Sequence, residues 1–105
     1  MLYVDFNAGN ESYKLRLSTR AILALEKQLG CNPLAIFGDG TTLPTITAMI
    51  TILHASVQQY HHGISMDRAA DIFDAWLADG HTMTEFLTVI IDVYKVSGII
   101  STEKN

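Results

Sequence analysis

Between Gly40 and Met66 the chain has no Asp, Glu, Lys or Arg. A helix that shows one side to water normally carries Lys and Glu there, so this gap excludes an ordinary surface helix. Cysteine is almost as scarce. The single Cys31 cannot close an intramolecular disulfide, which suits a reducing compartment, and a cytoplasmic location is expected. Basic residues are few, seven Lys and Arg against eleven Asp and Glu, for a net charge of −4. An acidic surface repels phosphate backbones, so no nucleic-acid partner is expected. No apolar run approaches the ~20 residues that a membrane span needs, because threonines, His54, Gln58 and Gln59 interrupt the uncharged stretch. Nor does a basic segment followed by an apolar run open the chain, and no signal peptide is expected.

What remains is an apolar surplus. Of 105 residues 49% are hydrophobic and only 17% charged, against a usual charged share of about 25%. The length is that of one domain, which buries roughly 65% of the surface its unfolded chain exposes. Such a sequence needs either a dense core or a partner. The charge is also unevenly placed. Acids and bases cancel up to Asp39, whereas from Asp67 onward seven acids face only Arg68, Lys95 and Lys104.

The element pattern is that of an α+β domain, mainly α, with an N-terminal β-hairpin packed on a bundle of about four helices. Leu2, Val4 and Phe6 alternate with Tyr3, Asp5 and Asn7, and after a Gly-Asn turn Tyr13, Leu15 and Leu17 alternate with Lys14 and Arg16. That period of two predicts a hairpin over residues 1–17. Ser18 or Thr19 caps a first helix that buries Ile22, Leu25 and Leu29 and ends at Gly30. A short turn after Asn32-Pro33 carries Leu34, Ile36 and Phe37. A central helix is expected over 44–62, with Ile46, Met49, Ile50, Leu53, Val57 and Tyr60 as its apolar stripe. Ser65 caps the next helix, over 66–79, in which Ala69, Ile72, Phe73, Trp76 and Leu77 oppose Asp67, Asp71 and Asp74. Thr82 to Glu85 forms a capping box for the last helix, to about Val96, and residues 99–105 form a tail.

Catalytic or metal chemistry finds little footing in this pattern. Asp67, Asp71 and Asp74 lie opposite an apolar stripe, where carboxylates stay solvated. His61 and His62 point about 100° apart on a helix, and no Cys or Glu joins them and His54 in a ligand set. Cys31 follows a helix C-terminus, where nothing lowers a thiol pKa. There is no glycine-rich phosphate loop, zinc spacing or serine elbow. No enzyme activity, cofactor or metal is expected.

Two apolar features stand out as partner-binding candidates. One is the small, uncharged back of the central helix, Thr47, Ala48, Thr51 and Ala55. The other is the broad apolar sector of the last helix, Phe86, Val89, Ile90, Val93 and Val96, which continues into Ile99 and Ile100. The competing reading is that these faces cover one another inside a single domain.

Residues Leu15 to Phe37, LRLSTRAILALEKQLGCNPLAIF, resemble the opening of tail assembly chaperones of long-tailed bacteriophages and their prophages. The similar features are a strand ending in Leu-Ser-Thr-Arg, an amphipathic helix with Leu-Glu-Lys, and then Gly-x-Asn-Pro-Leu and a Phe. The resemblance implies a non-enzymatic protein of the host cytoplasm that binds the helical tape-measure protein, helps recruit tail tube protein, self-associates, and is absent from the mature virion. The alternative is a small helical regulator or adaptor, with nucleic-acid binding as its less favoured form.

Overall fold

The computed structural model describes residues 2–101. Strands β1 (Val4–Ala8) and β2 (Glu11–Leu15) pair antiparallel, with Val4 opposite Leu15 and Phe6 opposite Tyr13. Gly9 and Asn10 make the two-residue link. Gly9 has φ +63°, a left-handed conformation that a side chain at this position would resist. Its amide donates to Asp79 Oδ2 at 2.8 Å, which ties the hairpin tip to a distant helix end. Phe6, Ala8, Tyr13 and Leu15 form the buried face, and Leu17 follows them inward. Leu2, expected at the start of that face, lies before the strand and is exposed.

Helix α1 (Thr19–Leu29) starts where Ser18 Oγ accepts the Ala21 amide at 3.1 Å. It stops where Gly30, at φ +74°, donates its amide to the Glu26 carbonyl. A 3-10 turn, Pro33–Phe37, follows, opened by Asn32 Oδ1 accepting the Leu34 amide at 2.8 Å. In the loop beyond it, Asp39 accepts from the hydroxyl and amide of Thr41, and those bonds hold its carboxyl below the usual pKa.

Helix α2 (Ile46–Val57) is shorter at both ends than the expected span of 44–62. Pro44 stands outside it, since Thr45 is the cap, its hydroxyl accepting the Ala48 amide. At the other end the Gln58 side chain donates to the carbonyls of both His54 and Ile64 and accepts from the Gly63 amide. These bonds replace helix bonds and turn the chain. His61 therefore lies beyond the helix, not in its last turn, and its Nε2 accepts the Lys14 amide at 3.0 Å.

Helix α3 (Met66–Ala78) is capped by Ser65 and α4 (Met83–Val96) by the reciprocal Thr82–Glu85 box. Phe6, Phe73, Trp76 and Phe86 cluster with ring centroids 5.0–6.0 Å apart, joining β1, α3 and α4. Tyr94 joins α4 to the 3-10 turn. Its hydroxyl donates to the Pro33 carbonyl at 3.0 Å and its ring meets Phe37 at 6.2 Å. Burial, and then the nearby Cys31 thiol, push the Tyr94 pKa well above the ordinary phenol value.

Arg16 is the keystone on the opposite side. Its backbone amide donates to the Ser56 carbonyl at 2.9 Å, and one guanidinium nitrogen donates to the carbonyls of Leu2 and Val96. Val96 closes α4, so this cation sits at the negative end of the helix dipole. Beside it, Ser97 Oγ accepts the Leu17 amide at 2.8 Å.

Candidate interaction surfaces

On α4 the apolar sector turns out to be the core face. Phe86, Ile90 and Val93 are 1%, 0% and 1% exposed, enclosed with Tyr94 against the hairpin and α2. They are unavailable to a partner, and the partner-binding role expected of them is corrected to a structural one. Val89, Val96, Ile99 and Ile100 are half-buried along the flank of that sector. Thr84, Glu85, Thr88 and Lys95 make the exposed strip.

On α2 the small face is also largely enclosed. Ala48, Thr51 and Ala55 are buried and only Thr47 is exposed, because α1, α3, α4 and the hairpin all pack on this helix. A free interface over Ala48 and Thr51 is therefore excluded. Their polar neighbours are satisfied within the helix, since Thr51 Oγ donates to the Thr47 carbonyl and Ser56 Oγ to that of Ile52. The outward side of α2 is the part of its stripe expected inside. Ile46 is 46% exposed and Ile50 half-buried, and Leu43, just before the helix, is 45% exposed. Leu34, in the same α1–α2 connection, is 40% exposed. Leu34, Leu43 and Ile46 thus all belong to the stretch of chain that leads from α1 into α2.

A groove of about 540 Å³ runs between the outer side of α1 and the C-terminal part of α2. Its floor is small, with Ala21, Ala24 and Ala55. Its rim carries Arg16, Arg20, His54 and His62, with no carboxylate among its lining residues. Nδ1 of His54 is buried without a hydrogen-bond partner. Periodicity alone did not single out this groove. The signal that was present is the spacing Arg20, Ala24, Gln28 along one side of α1, with its acid, Glu26, about 160° away round the helix.

A second hollow, of about 400 Å³, lies between β1, α3 and α4. It contains Asp5, Glu85 and a His81 ring stacked on Trp76 at 4.4 Å. Asp67, Asp71 and Asp74 are exposed on α3. Among the described residues no three His, Cys, Asp or Glu side chains are grouped to hold a metal ion, and no helix is long and apolar enough to cross a membrane.

The hairpin and four helices thus define a small α+β domain, with exposed aliphatic side chains along the α1–α2 connection and an arginine-lined groove beside it. Over residues 4–105 the chain matches the family described as a family of unknown function (DUF6096), and it belongs to that family. No curated protein and no solved structure matches it.

Proposed function

We propose that this domain is a non-enzymatic tail assembly chaperone of a long-tailed phage or prophage, one that binds the tape-measure protein through exposed apolar side chains. The observation that carries this reading is the exposure of Leu34, Leu43 and Ile46 around the α1–α2 connection. Several large aliphatic side chains left open along one short stretch of chain are a usual mark of a surface that a partner covers. The segment that resembles such chaperones, Leu15 to Phe37, includes one of the three and ends just before the other two. A tape-measure chain is a long helix with apolar stripes, and a small acidic protein covering those stripes keeps it dispersed. Tail tube protein and further copies of the chain are secondary partners on this reading, and the half-buried flank of Val89, Val96, Ile99 and Ile100 is available to them. The setting is the host cytoplasm during assembly, with the protein absent from finished tails.

Co-expression with a tape-measure fragment tests the reading. The native chain is expected to co-purify with the fragment and keep it soluble, and the double variant Leu43→Asp, Ile46→Asp is expected to lose both while remaining folded. A native chain that leaves the fragment to aggregate overturns the proposal.

A further inference from the structure

We infer that the groove between α1 and α2 is a docking site for an acidic amphipathic helix of a partner protein. This deepens the binding-protein reading above and rests on it for the kind of partner, but it concerns a different surface.

The first argument is shape. Arg20, Ala24 and Gln28 occupy successive turns of α1, so the α1 side of the groove extends about 12 Å, or two turns of a docked helix. The floor residues Ala21, Ala24 and Ala55 bring little side-chain bulk, and an incoming helix can approach closely along them. Such a floor accepts a seam of one or two aliphatic side chains and supplies no large apolar surface of its own.

The second argument is charge. The chain carries −4 overall, yet the groove is lined by two arginines and by no carboxylate. Arg20 makes no ion pair among the described residues. Arg16 makes no ion pair either, although the carbonyls of Leu2 and Val96 and the negative end of α4 meet part of its charge, which leaves Arg20 the more open of the two. Arginines without a carboxylate partner beside an apolar floor select an occupant whose apolar seam is bordered by Glu or Asp, and disfavour one bordered by Lys.

The test uses the whole chain, labelled with nitrogen-15, and two synthetic helical peptides that share one Leu/Ala seam. One peptide is flanked by Glu and the other by Lys. The Glu peptide is expected to shift the amides of Ala21, Ala24, Ala55 and Gln59 and to bind at least about fivefold tighter than the Lys peptide, less so in high salt. Arg20→Glu, checked for fold by circular dichroism, is expected to reverse that order. Equal binding of the two peptides, shifts confined to other surfaces, or an unchanged order in the variant overturns the inference. So does a dilution series without peptide that moves the same amides, because the occupant is then a second copy of the chain. Failure here with tape-measure binding intact removes the groove and leaves the chaperone reading standing. Loss of tape-measure binding with peptide binding intact does the reverse.

Discussion

Helices α2 and α4 are both apolar beyond the needs of an ordinary surface helix, yet the fold disposes of them in opposite ways. On α4 the widest apolar sector in the sequence is closed by the hairpin, α2 and the 3-10 turn, with Phe86, Ile90, Val93 and Tyr94 all inside. On α2 the buried sector is set by neighbours on several sides and takes in Ala48, Thr51, Ala55 and Ser56, while Ile46 at its N-terminal end is left outside. Apolar width in a sequence therefore tells how much a helix will bury. It does not tell which part remains open, because that depends on how many other elements reach it.

The strongest way to break this contrast is to charge each helix in turn. Val93→Asp places a carboxylate in a site that is 1% exposed and is expected to cost about 4 kcal/mol or more, enough to abolish the cooperative thermal transition. Phe86→Ala removes a ring from the four-aromatic cluster and should lower stability by about 3–5 kcal/mol in urea unfolding. The double change Leu43→Asp, Ile46→Asp should move stability by about 1 kcal/mol or less per site, since nearly half of each side chain is already in water. If Val93→Asp is tolerated and the α2 variant unfolds, the assignment of inside and outside is inverted.

Between those extremes, Tyr94→Phe sharpens the comparison at the α4 end. It removes the hydroxyl bonded to Pro33 and should cost about 1–3 kcal/mol. The native Tyr94 pKa is raised by burial, so the stability held by the neutral phenol is complete below the ordinary phenol pKa of about 10. It is lost as pH rises from there toward the folded-state value. Denaturation followed from about pH 9 upward should show the native chain weakening more steeply than the Phe variant. The smallest effect in the core-linked set is expected for Arg16→Met, about 1–2 kcal/mol. That substitution keeps much of the aliphatic stem and removes the bonds to Leu2 and Val96, and thermal melts will measure it.

Local signals were the most legible part of the sequence. Ser18, Ser65 and the Thr82–Glu85 box act within three residues of the atoms they satisfy, and each starts a helix where the pattern placed it. Gly30 and the Gly9-Asn10 link are legible for the same reason. The end of α2 was not, because Gln58 bonds forward to Ile64 and His61 is taken by Lys14 across the fold, and neither contact leaves a mark on helical periodicity. The candidate site was less legible still. Phe86, Ile90 and Val93 share one face whether that face meets solvent, a partner or a core, and only the packing decides among them. The groove is not legible because its defining property is a missing carboxylate, shared between two helices whose facing sides only the packing sets.

Because one nitrogen of Arg16 holds carbonyls from both Leu2 and Val96, the two extremities of the folded unit leave it side by side. Tension applied through them would load that arginine and the Leu17–Ser97 contact before any helix of the interior. The same adjacency makes the domain suited to circular permutation, in which a short linker joins the old ends and new ones open in the 38–43 loop. A permuted chain that folds with α2 and the hairpin undisturbed would leave Leu43 close to a free end.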